Sequence, residues 1–112
     1  MRRSEDFTDA VRGGARSGTR RLVVHLKTPQ DGNPTDPPRA GLVVSTAVGN
    51  AVERNLVKRR LRGLLAPRMH TLGEGEKLVV RALPDARGAS SAELGADLDS
   101  ALARARRRRD GR

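Results

Sequence analysis

A chain of 112 residues holds one small domain, since two separate cores would each bury too little apolar surface to offset the entropy of ordering. Its 23 Lys and Arg against 13 Asp and Glu leave a net charge of +10, which calls for a polyanionic partner whose condensed counterions those side chains release. The absence of Cys excludes disulfides and thiolate metal sites, no stretch approaches the roughly 20 apolar residues of a membrane span, and one Phe without Trp or Tyr excludes a stacking platform of several aromatics.

The first predicted element is a helix from Ser4 to Arg12, with Ser4 as its cap, Glu5 and Asp6 in its first turn, and Phe7 and Val11 stacked at i and i+4. Gly13 and Gly14 end it. Arg21 to Leu26 then reads as a β-branched strand. Residues 28–38, TPQDGNPTDPP, gather turn-forming residues in which no core strand or helix persists. Gly41 to Ser45 (GLVVS) is the second strand, running on through Thr46 and Ala47 to the clearest helix of the chain. Asn50 caps that helix, Glu53 completes a capping box, and Pro67 marks its end. Lys77 to Ala82 (KLVVRA) is the third strand, set between Gly73, Gly75 and Pro84. A last helix runs from Ser90 to Arg104: Ser90 and Glu93 repeat the capping pair, and Leu94, Leu98 and Leu102 line one face.

The expected fold is an α/β domain of α+β sandwich type, a small sheet with helices packed on it in the order α-β-β-α-β-α. The unit from GLVVS through the helix to KLVVRA is expected to hold a parallel strand pair. Residues 1–105 are read as one RNA-binding domain and 106–112 as a flexible basic tail.

On a helical wheel of about 100° per residue, Val57, Leu61, Leu64 and Leu65 of the central helix form an apolar stripe. Asn55, Lys58, Arg59 and Arg62 share a second arc about 120° away, with Arg54 on its border and Arg60 on the far side. A solvated basic face reads the same way on the wheel. A phosphate-gripping ridge is the functional alternative, because arginine forks hold phosphates bidentately. A strand directly abuts each end of this helix, which argues against a helix-turn-helix entering DNA. Neither His25 nor His70 stands at metal-ligand spacing from other ligands, and no nucleophile or base is evident. A ribosomal or RNA-chaperone protein of similar architecture remains the alternative reading.

The residue order bears on that choice. The segment from Val48 to Arg62, VGNAVERNLVKRRLR, resembles the signature of the bacterial ribonuclease P protein family, in which a small-residue entry precedes an Arg-Asn-Arg motif and a Lys-Arg-x-x-Arg run. The opening Glu5-Asp6-Phe7 with Val11, the Val-Val-His strand, GLVVS and LVVRA fall in the family's order, so the resemblance covers about residues 4 to 105. It implies a left-handed β-α-β crossover, against the usual rule. It also implies a cytoplasmic subunit of ribonuclease P, the endoribonuclease in which a catalytic RNA with Mg²⁺ removes the 5′ leader of precursor tRNA. The protein itself would carry no catalytic residue and no cofactor. By the same resemblance Arg54, Asn55, Lys58, Arg59 and Arg62 bind the catalytic RNA. Phe7, Val11 and His25, with Ser45 nearby, line a cleft for the single-stranded leader, Phe7 stacking on a base for roughly 1–3 kcal/mol. Two departures thin the positive charge: Leu56 stands where the family has a second Arg, and Thr46 and Ala47 where two Lys often follow the Ser.

Overall fold

Two capping boxes fix where the long helices begin. The backbone N–H of Glu53 donates to Asn50 Oδ1 and that of Asn50 to Glu53 Oε1, both at 2.9 Å, satisfying two donors that a helix start leaves open. Ser90 and Glu93 form the same reciprocal pair, at 3.1 and 2.9 Å. The computed structural model describes residues 15–27, 37–73 and 75–110. The predicted helix Ser4–Arg12, with Phe7 and Val11, and residues 28–36 of the connection lie outside them.

In chain order the described elements are β1 (Ala15–Gly18), β2 (Leu22–Lys27), β3 (Arg39–Val44), α1 (Ala51–Leu65), a 3-10 segment (Ala66–Thr71), β4 (Lys77–Ala82), a 3-10 turn (Pro84–Ala86) and α2 (Ser91–Asp110). Pro67, lacking an N–H, stands in the first turn of the 3-10 segment, where no donor is needed. The four strands form one sheet in the order β1-β2-β4-β3. β2 pairs antiparallel with both β1 and β4, while β3 and β4 are the expected parallel pair joined through α1. β1 has no counterpart among the predicted elements: ARSG carries neither a β-branched run nor a clean alternation, and its pairing with β2 makes it a strand.

Strand alternation sorts the side chains into two faces. Leu22, Val24 and Leu26 of β2 sit in register with Ala82, Val80 and Leu78 of β4, all buried. Helix residues Val57, Leu61, Leu65, Leu94, Leu98 and Leu102 complete the same core. The helices pass closely at Gly95, where a Cβ would stand 3.1 Å from Leu64 Cδ2. The expected end of the domain after residue 105 falls inside α2, which continues to Asp110. Arg106 within it donates through Nη2 to the Thr71 hydroxyl and carbonyl, at 2.6 and 3.3 Å, and arginines in a last turn suit the helix dipole.

Candidate nucleic-acid interface

The entry to α1 is built to hold one orientation. Gly49 has φ +157°, and a Cβ there would collide with Glu53 Oε1, so the capping carboxylate occupies space only glycine leaves. Arg54 Nε donates to the Gly49 carbonyl at 3.1 Å, which ties this arginine back onto the turn. On the buried side Val57, Leu61 and Leu65 anchor the helix. Asn55, Arg59 and Arg62 therefore project towards solvent, and Lys58 is half-buried beside them. The arc from Asn55 to Arg62 spans about 10 Å along the axis.

What distinguishes this ridge is the fate of the carboxylates. Glu53 and Glu93 serve the capping boxes. Asp97 and Glu93 hold Arg21, at 3.1 and 3.4 Å. Asp99 grips Arg68 with both oxygens, at 2.6 and 3.0 Å, and Asp85 pairs with Arg20 at 3.1 Å. Glu76 is buried and accepts from the Gly73 N–H. These roles are structural, and they leave Asn55, Lys58, Arg59 and Arg62 with no salt bridge or side-chain hydrogen bond among the described residues. Arg60, on the far side of α1, is also structural: its Nη1 donates to the Ala89 carbonyl ahead of α2.

The sheet face opposite the core holds a second basic surface. Arg16 lies beside His25 across β1 and β2, Lys27, Lys77 and Arg39 share one rung across three strands, and Arg81 lies beside Val23. No carboxylate belongs to this face of the strands. Its exposure rises from β2, where Val23, His25 and Lys27 are buried, to β3, where Arg39 and Gly41 are open. Burial, reinforced by the charges of Arg16 and Arg81, holds the His25 imidazole below its ordinary pKa of 6.5.

Of the cleft residues expected from the sequence, His25 lies on this face, while Ser45 is exposed just beyond β3, its Oγ accepting from the Ala47 N–H at 3.3 Å. Two strands across and four residues along separate them by about 16 Å. The two do not form one contact point. Phe7 and Val11 lie outside the described residues. Arg16, Arg39, Lys77 and Arg81 were not among the expected residues, although the alternation in KLVVRA, with Lys77, Val79 and Arg81 facing one way, carries the signal for two of them.

The described residues offer no group of three or more His, Asp or Glu that converges on a metal site, and no helix long and apolar enough to cross a membrane. The family model described as Ribonuclease P matches residues 1–106. The ribonuclease P protein component of Streptomyces griseus is 52% identical over 109 residues, covering 93% of this chain and 89% of that protein. That of Salinispora tropica is 50% identical over 121 residues, covering 95% and 89%. Among solved structures, the Staphylococcus aureus RNase P protein superposes with a TM-score of 0.75 at 26% identity, covering 88% of this chain and 86% of that one. The Thermotoga maritima RNase P protein shares the fold, with a TM-score of 0.72 at 22% identity, covering 89% and 91%.

Proposed function

The chain belongs to the ribonuclease P protein family, the protein subunit of the endoribonuclease that processes tRNA 5′ ends, and on that premise we propose a division of labour between its two basic surfaces. The α1 ridge, Asn55, Lys58, Arg59 and Arg62 with Arg54 at its base, binds the catalytic RNA. The cationic sheet face, from His25 towards Ser45 and with Phe7 and Val11 as further lining residues, receives the 5′ leader of precursor tRNA.

The observation that carries this reading is the commitment of the described carboxylates to a cap, a backbone donor or an arginine elsewhere. An uncompensated ridge on a helix fixed by three buried side chains is pre-organised for phosphates, because no internal ion pair has to break on binding. The protein's part is to neutralise phosphates where two polyanions meet, so that RNA and substrate approach. Phosphodiester hydrolysis is assigned to the RNA. Mg²⁺ is assigned there too, as part of the same family reading. The proposal places the complex in the cytoplasm and treats residues up to 105 as the RNA-binding domain, with α2 carrying the last arginines beyond it.

The test is the double charge reversal Arg59→Glu/Arg62→Glu, assayed for association with ribonuclease P RNA and for leader removal together. Affinity is expected to fall, with the slope of log K against log[salt] shallower by about two, one for each phosphate no longer neutralised. Cleavage at limiting Mg²⁺ falls with it. Binding and cleavage equal to those of the parent would overturn the assignment of the ridge.

A further inference from the structure

Beside the ridge, α1 carries the two exposed large apolar side chains of the described residues: Val52 is 76% exposed and Leu56 37%. They stand at i and i+4, one above the other on the helix. Gly63 continues the same line within an arc of about 40°, and a Cβ there would meet nothing within 4 Å. Arg60, the long side chain on the other flank, is drawn off to the Ala89 carbonyl. The result is a small apolar patch of Val52 and Leu56, with Asn55 beside it and Arg59 next on the same line of the helix.

We infer that Val52 and Leu56 form an apolar contact with the same RNA that the ridge binds, packing against a ribose or the face of an unpaired base while Arg59 holds the adjoining phosphate. This inference rests on the ridge reading above. Three observations select RNA as the occupant. The strip is continuous with the cationic arc, so a polyanion seated on Arg59 has Leu56 within reach about one turn away. A second copy of this chain, itself carrying +10, would have to bring two like-charged molecules together over the strip. Two side chains also offer far less area than a stable protein–protein interface buries. Apolar packing on a nucleoside releases no counterion, so it adds affinity that salt does not remove.

That difference makes the apolar strip separable from the ridge. Binding of the full-length chain to ribonuclease P RNA from the same genome is measured across a salt series for Val52→Ser/Leu56→Ser, for Leu56→Arg and for Arg59→Glu/Arg62→Glu. The serine pair is expected to bind about tenfold more weakly with the salt slope unchanged. Leu56→Arg is expected to steepen the slope by about one. Circular-dichroism melting of each free variant confirms that the helix persists, as expected for exposed positions. Unchanged affinity in the serine pair would overturn the inference, and so would weaker binding accompanied by a shallower slope. A serine pair that binds RNA like the parent but no longer self-associates in sedimentation would assign the strip to a protein interface instead. If the ridge variant alone binds like the parent, the ridge reading falls on its own.

Discussion

Asn50 sets the start of α1 through one side-chain oxygen and one backbone N–H, and its exposure means that little else depends on it. Asn50→Ala is expected to lower stability by about 1 kcal/mol, read as a shifted urea midpoint at unchanged m-value. His25 makes a different kind of statement, about pH. Its folded pKa lies below the ordinary 6.5, so the unfolded chain takes up the proton first. Stability is therefore at its full value above pH 6.5 and declines as pH falls through 6.5 towards the folded pKa. His25→Gln is expected to flatten the melting temperature across that window, and a slope that survives the substitution would place its origin elsewhere. Arg54 and Arg59 show how identical side chains part company. One is returned to the Gly49 carbonyl and the other is left to solvent, so residue type alone did not separate support from contact.

At the scale of an element, α1 performs two tasks with two faces, and the tasks respond to different mutations. Leu61 is fully buried among residues of both helices and the sheet, and Leu61→Ala is expected to cost about 2–5 kcal/mol, lowering the melting temperature whether or not RNA is present. The reversal of Arg59 and Arg62 should leave the melting temperature of the free protein unchanged or raise it slightly, because it relieves repulsion between unpaired cations. Both faces of α1 were legible in the sequence, since a helical period assigns side chains to arcs before any neighbour is known. The sheet was less so. β2 and β4 announce themselves by Leu22, Val24, Val79 and Val80, whereas β1 is a strand only because Ser17 and Gly18 lie against Val24 and Val23. Arg104 then holds it there, donating from Nε to Ser17 Oγ at 3.0 Å.

For the whole molecule, a net charge of +10 and a ridge without counter-charges among the described residues imply that the folded state is strained by self-repulsion and relieved by anions. Sulfate or phosphate at millimolar concentration is expected to raise the melting temperature of the free protein more than chloride at matched ionic strength, through preferential binding to the folded form. Equal effects of sulfate and chloride would reduce the phenomenon to screening. In the holoenzyme the same charge predicts that adding the protein to its RNA lowers the Mg²⁺ needed for leader removal, while the protein alone cleaves nothing. Equal Mg²⁺ requirements with and without protein would remove the electrostatic role.

Period, capping and residue order are local properties, and they determined α1, its greasy and cationic sides, the parallel β3–β4 pair and the family signature from Val48 to Arg62. Which arginines are committed was decided only in three dimensions. Arg21 meets Asp97, and Arg68 meets Asp99, across separations of 76 and 31 residues that no local pattern encodes. The cationic sheet face likewise exists only because β4 and β3 align Lys77 and Arg39 on one rung. A sequence specifies how many charges a chain carries and how they are spaced along each element, whereas packing between distant elements decides which remain uncompensated.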